Sequence, residues 1–220
     1  MGVLLLVRHG QASLGAADYD QLSELGRRQA QLVGARLAGP GLTIDRVVAG
    51  ALRRQRDTAE AIMAALGRPL TELGTDDRLD EYDHVTVMAR HDGGISFANA
   101  TADGERGRAL QSALEQAIGR WISGGTGYGE THDTFIERVQ AAIGDLVVKP
   151  GVTVAVTSGG VISAYCALSL GLPVERWPSL ARLVVNASIT KVISGRMGTS
   201  LVTFNDHAHL ESDRAMITYR

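Results

Sequence analysis

Val3–Val7 is an unbroken apolar run that stops at Arg8-His9-Gly10. A run without alternation predicts a strand buried on both faces, as in a parallel sheet. Ser23 then stands as an N-cap for a helix from about Glu24 through Leu32, Val33 and Leu37, ended by Gly39-Pro40-Gly41. Ile44–Ala49 predicts a second strand, and Arg54–Leu66 a helix stopped by Gly67 and Pro69. Phe135, Ile136, Val139, Ile143 and Leu146 mark one face of a helix over about Asp133–Val148. Val152–Val156 is a third buried strand, followed by a helix over Val161–Leu170. The tail changes character: Ser188–Ile193, a turn at Gly195-Arg196-Met197-Gly198, and Thr199–Phe204 predict a hairpin.

Strands alternating with helices predict an α/β fold, a three-layer α/β/α sandwich around a central, mostly parallel sheet. The segment from His84 to Gly129 breaks the rhythm. It holds Gly93-Gly94, one helix over Arg108–Ile122 and a glycine-rich loop. We read it as a helical lid inserted, at about 84–129, into a single domain spanning 1–220.

Composition narrows the function. With 220 residues, roughly 70% of the unfolded surface can be buried without disulfides or metals. The net charge of −2, from 22 basic and 24 acidic residues, gives no footprint for nucleic acid or a membrane surface. One cysteine, Cys166, excludes an intrachain disulfide and a cysteine-based zinc cluster. No apolar run reaches membrane-spanning length, and Met1–Val7 lacks the basic start of a secretory signal. A cytoplasmic protein is expected.

Several motifs fail. Neither Lys149 nor Lys191 follows a glycine as a P-loop requires, and Gly124–Gly129 lacks dinucleotide-loop spacing. Val156-Thr157-Ser158-Gly159-Gly160 has no first glycine for a nucleophile elbow. What remains sits at strand ends, where α/β sheets open their ligand crevice. His9 offers a nucleophile, Arg8 a bidentate phosphoryl clamp, and Gly10 a close backbone approach. Arg54 opens the helix after the second strand, and Ser158-Gly159-Gly160 forms an anion nest after the third. Glu81 lies in an irregular stretch from which a carboxylic acid could reach the crevice.

Each residue also has a plainer reading. Arg54 could share a solvated face with Arg53 and Arg56, and Glu81 an acidic turn with Asp77, Asp80 and Asp83. Ser158 could simply cap its helix. His91, His132 and His207 read as surface residues, and His84 as a surface or lid residue.

Taken together, the chain resembles the histidine phosphatase superfamily, the phosphoglycerate-mutase-like fold. The resemblance rests on Leu5-Leu6-Val7-Arg8-His9-Gly10, Leu22–Gly26 with Gln29-Ala30, Leu52-Arg53-Arg54 with Thr58-Ala59, and Leu79-Asp80-Glu81. It continues through Gly129-Glu130 with Arg138, Val156–Ile162, and Asn205 with His209-Leu210. The resemblance implies a phosphohistidine on His9, phosphoryl binding by Arg8 and Arg54, a proton from Glu81, and no metal or other cofactor. Gly10, Gln11, Ser158 and Gly159 are then expected to line the phosphoryl site.

Two departures stand out. Gly50-Ala51 replaces the usual Ser-Pro, and Ser158 stands where most members carry a second catalytic histidine. Losing one preorganised donor costs ~3 kcal/mol, about 10²–10³ in rate. His84 is a candidate to supply the missing imidazole.

The expected function is therefore phosphomonoester hydrolysis of a small phosphorylated substrate. A mutase is the alternative, although Gln11-Ala12-Ser13-Leu14-Gly15 departs from the mutase signature. A binder without turnover is a third reading, supported by Ser158 alone. Arg90, Arg106 and Arg108 are candidates to read further negative charge. A homodimer through an edge strand is the one protein partnership considered.

Overall fold

The computed structural model describes residues 1–13, 19–90 and 105–219, with no side-chain description for 105–111. Among them, six strands form one sheet. They are β1 (Gly2–Arg8), β2 (Arg46–Ala49), β3 (Leu73–Thr75), β4 (Gly151–Thr157), β5 (Ile189–Gly195) and β6 (Gly198–Asp206). The spatial order is β3-β2-β4-β1-β5-β6. β1, β2, β3 and β4 run parallel, while β5 pairs antiparallel with β1 and β6 antiparallel with β5. β1 lies between β4 and β5 with both edges paired, and Leu4–Val7 are buried while Val3 is half-buried.

The pleat sorts the core. Leu4 and Leu6 join one apolar cluster, Leu5 and Val7 the other. The Leu5 side is covered by α1 (Glu24–Leu37) and α2 (Arg53–Ala65). The Leu4 side is covered by α3 (His84–Ala89), α4 (Glu105–Ile122), α5 (His132–Val147), α6 (Gly159–Ser169) and α7 (Trp177–Ala181). This is the three-layer sandwich that the alternation predicts. Among the described residues, no helix is long and apolar enough to cross a membrane.

Ser23 caps α1 as expected, accepting from the Gly26 amide. The short strand β3 and the short helices α3 and α7 have no periodic signature, being too brief for one. His132 is not at the surface: it is 4% exposed, and its Nε2 accepts from Trp177 Nε1 at 3.1 Å. It belongs to an aromatic cluster with Tyr82, Trp121 and Phe135 under α5. The stretch read as a lid contains α3 and the whole of α4. Residues 91–104, with Gly93-Gly94 and His91, lie outside the described residues, as do the side chains of Arg106 and Arg108.

One contact ties α1 to the end of β1. A Cβ on Gly26 would lie 2.1 Å from Gln11 O and 2.8 Å from its N. A Cβ on Gly10 would lie 2.3 Å from Gly26 O. Gly10 is thus a glycine because a helix backbone presses on it, and not only because of a ligand. Gly26→Ala is expected to destabilise the fold by about 1–3 kcal/mol through overpacking, read as a lower urea midpoint. An unchanged midpoint would mean that the loop gives way freely.

Candidate active site

Parallel pairing of β1 with β4 sets His9 and Ser158 side by side. Arg8 pairs with Thr157 in register, and one residue further the His9 amide donates to Thr157 O at 2.9 Å. The loop after His9 is then held from several directions. Asn186 Nδ2 donates to His9 O at 3.1 Å, and the Gly10 amide donates to Thr58 Oγ1 at 3.0 Å. The Gln11 amide donates to Gln29 Oε1 at 2.8 Å, and Gln29 Nε2 donates to Met216 O and Thr218 Oγ1. Gln11 also accepts from Ser23 Oγ at 2.9 Å.

The His9 ring is buried with a defined tautomer. Nδ1 lies 2.7 Å from Gly10 O, a carbonyl that can only accept, so Nδ1 carries the proton. Nε2 is left with its lone pair, and Arg54 Nε donates to it at 3.1 Å. Burial, with the Arg54 and Arg8 charges beside it, holds the imidazole well below its ordinary pKa and therefore neutral.

Arg8 and Arg54 are both buried, at 8% and 5% exposure, which settles the solvated-face reading against Arg54. The Arg8 Nη1 donates to Val184 O and, at 3.2 Å, to Tyr219 O. Its Nε is buried with no partner, and a Cβ on Gly159 would lie 3.4 Å from that atom. Desolvation pushes the Arg8 guanidinium down to about 10, so it is still charged at neutral pH. A buried cationic N–H without an acceptor is a natural place for an anionic oxygen.

Glu81 sits on the first turn of α6, where the Gly160 amide donates to its Oε2 at 3.0 Å. A Cβ on Gly160 would lie 2.1 Å from Glu81 Oε1, so only glycine admits the carboxyl there. Burial raises the Glu81 pKa, against the pull of the Gly160 amide, Arg54 and Arg8. Part of the nest expected for the ligand is therefore already taken by this carboxyl. Ser158 is fully buried and N-terminal to α6, yet its hydroxyl makes no capping bond. Ser158 is therefore not held here by a capping role. His84 opens α3 with its ring edge-on to Tyr19 (centroids 5.7 Å apart), and Tyr19 faces the Arg54 guanidinium at 5.7 Å.

Asp20 and Gln55 join the site without having been singled out from the sequence. Asp20 Oδ1 lies 2.5 Å from Arg54 Nη1, and its Oδ2 accepts from the Arg53 amide at 2.7 Å. Leu52, the residue before α2, has no side chain able to cap. Carboxylates from elsewhere do it instead: Asp20 at Arg53, and Asp80 Oδ1 at Ala51 N (2.6 Å) and Leu52 N (3.3 Å). Gln55 is fully buried and reaches Ser158 Oγ at 2.8 Å. The readable signal was a polar residue on the core-facing stripe of α2, whose buried positions are Arg54, Gln55, Thr58, Ala59, Ile62 and Met63. Arg138 anchors the Glu81 segment, donating through Nη1 to Arg78 O and Asp80 O, both at 2.8 Å, while paired with Glu130.

The chain as a whole is similar to known proteins. The chain is 32% identical over 195 residues to a glucosyl-3-phosphoglycerate phosphatase of Mycolicibacterium vanbaalenii, covering 80% of this chain and 78% of that protein. A 2,3-bisphosphoglycerate-dependent phosphoglycerate mutase of Rhizobium etli is 37% identical over 90 residues, 38% of this chain and 42% of that protein. Among solved structures, a mycobacterial glucosyl-3-phosphoglycerate phosphatase complexed with VO3 superposes with a TM-score of 0.63 at 26% identity. That match covers 94% of this chain and all, 100%, of the other. The fold is likewise that of Bacillus stearothermophilus YhfR, with a TM-score of 0.70 at 20% identity over 94% and 98% of the two chains. The family model for the histidine phosphatase superfamily, branch 1, matches residues 4–207. With a model match over nearly its whole length and relatives that are phosphatases, this chain belongs to the histidine phosphatase superfamily.

Proposed function

We propose that this protein hydrolyses a small phosphomonoester through a phosphohistidine on His9. One observation carries the reading: a buried imidazole whose Nδ1 is committed to Gly10 O while Nε2 keeps its lone pair against Arg54. Such a ring is neutral and oriented for attack. Arg8 and Arg54 take the phosphoryl oxygens, with Gly10, Gln11, Ser158 and Gly159 completing the lining. The two relatives support hydrolysis over mutase chemistry, since the phosphatase match spans 80% of the chain and the mutase match 38%.

In the first step His9 Nε2 attacks phosphorus as the ester P–O bond breaks. Glu81, favoured in its neutral form by burial, gives its proton to the departing alkoxide. The Arg54 N–H that rests on Nε2 turns to a phosphoryl oxygen. In the second step water attacks phosphorus, Glu81 takes its proton, and the P–N bond breaks to release phosphate. A protonated His9 could not attack, and an ionised Glu81 could not donate. Activity on an alkyl phosphate is therefore expected to fall as pH rises through the raised Glu81 pKa.

The direct test is turnover by wild type beside His9→Ala and Glu81→Gln. His9→Ala is expected to abolish turnover and the acid-labile phosphoenzyme; surviving activity would sink the assignment of the nucleophile. Glu81→Gln is expected to cost about 10²–10⁴ in kcat on an alkyl phosphate and much less on p-nitrophenyl phosphate, whose leaving group needs no proton. Equal losses on both substrates would remove Glu81 as the proton donor.

Asp20 gives a further expectation. Its carboxylate holds Arg54 Nη1, an N–H that the phosphoryl group needs. Asp20→Asn is expected to lower the inhibition constant of inorganic phosphate several-fold. A weaker inhibition would mean that Asp20 orients Arg54 and does not compete with the ligand.

A further inference from the structure

We propose that Gln55 is a positioning residue that makes Ser158 a one-way hydrogen-bond donor toward the phosphoryl group, an inference that rests on the hydrolase reading above. The argument runs through donors and acceptors. Gln55 Nε2 donates to Leu79 O at 3.1 Å and to Ser158 Oγ at 2.8 Å. Leu79 O can only accept, and it also accepts from Thr157 Oγ1 at 2.6 Å. Turning the amide over would set two carbonyl oxygens against each other, so the NH2 end must face Leu79 and Ser158. One of its hydrogens serves each partner.

Ser158 Oγ is consequently an acceptor toward Gln55, and its own hydrogen points elsewhere. It does not cap α6, and among the described residues no acceptor meets it. The next residue, Gly159, lies against the unpartnered Arg8 Nε, which a Cβ there would approach to 3.4 Å. Two buried donors of different elements, both lacking an acceptor, point to one anionic ligand.

The molecule accepts a cost for this amide. Gln55 Oε1 is buried with no donor, a defect that Leu or Met in its place would avoid. Its position is also purpose-made: a Cβ on Gly50 would lie 1.9 Å from Oε1. Only a residue without a side chain at 50 leaves room for the amide where it stands.

The experiment is a double-mutant cycle with Gln55→Met, which keeps the volume and removes the donor, Ser158→Ala, and the pair together. Steady-state kcat and KM on p-nitrophenyl phosphate are read for each, with orthovanadate affinity as a readout independent of turnover. Ser158→Ala is expected to lower kcat roughly 10²-fold, and Gln55→Met about tenfold, both with KM nearly unchanged. The double variant should match Ser158→Ala alone, because Gln55 acts only through that hydroxyl. Orthovanadate affinity should follow the same non-additive pattern. Gln55→Glu, which keeps the shape but offers Ser158 an acceptor, should be at least as slow as Ser158→Ala. Wild-type kcat in Gln55→Met, or losses that multiply in the double variant, would overturn the proposal. Absent wild-type turnover with the vanadate pattern intact would instead overturn the hydrolase reading and leave the Gln55–Ser158 pairing standing.

Discussion

A neutral imidazole lying against a buried guanidinium is the contact on which the rest of this molecule is arranged. Arg54 can donate to His9 Nε2 only while that nitrogen carries no proton. The Gly10 carbonyl enforces this by holding the ring's single hydrogen on Nδ1. Gly10 cannot drift, because α1 presses its backbone at Gly26 against the loop and Gln29 grips the Gln11 amide. The far end of the chain closes the arrangement. Thr218 Oγ1 donates to Asn186, whose amide donates to His9 O, and Gln29 donates to Thr218. Such chains of buried polar groups hold a geometry well only when every member is satisfied. Here the members that link Gly10, Gln11, Gln29, Asn186 and Thr218 are each paired, while Arg8 Nε and Ser188 Oγ stay buried without a partner.

Glu81 is built by the opposite strategy, from parts distant in sequence. Its segment has no regular structure to hold it, so Arg138 clamps the carbonyls of Arg78 and Asp80 while Asp80 caps the start of α2. One anchor therefore fixes both the irregular stretch that carries Glu81 and the helix that carries Arg54. Gly160 then decides how close the carboxyl can come to α6. A helix N-terminus would ordinarily favour the ionised acid, and burial outweighs it here, leaving the pKa raised.

The sequence was legible wherever a rule acts locally. Unbroken apolar runs located β1 and β4, a serine located the start of α1, and a glycine turn located the β5–β6 hairpin. Arg8, His9, Arg54 and Ser158 could be singled out because strand ends and helix starts gather at one end of a parallel sheet, whereas Glu81, in an irregular stretch, was carried by the family resemblance. What could not be read was set by tertiary contact. β3 is three residues long and exists because β2 offers it an edge. His132 looks polar in sequence, yet a tryptophan N–H satisfies it inside the core. Asp20 meets its partner across 34 residues of chain, beyond any local pattern, and Gln55 across 103, hinted at only by its polarity on the buried stripe of α2.

Those two unread residues bear on how a site with serine at 158 can hold a dianion. Arg8 and Arg54 together bring two positive charges, and a phosphomonoester near neutral pH brings about two negative ones. The match holds only if Glu81 is neutral and Asp20 has released Arg54. Burial supplies the first condition. The second makes entry of the phosphoryl group an exchange of one anion for another on the same guanidinium. An imidazolium at 158 would add a third positive charge beside His9, pressing its pKa lower still and holding product phosphate more tightly. A hydroxyl oriented by Gln55 contributes direction without charge. In the proposed reaction, the substitution at 158 therefore gives up electrostatic stabilisation of the transition state and keeps the hydrogen bond's geometry, and Gly50 is the residue whose missing side chain makes that exchange sterically feasible.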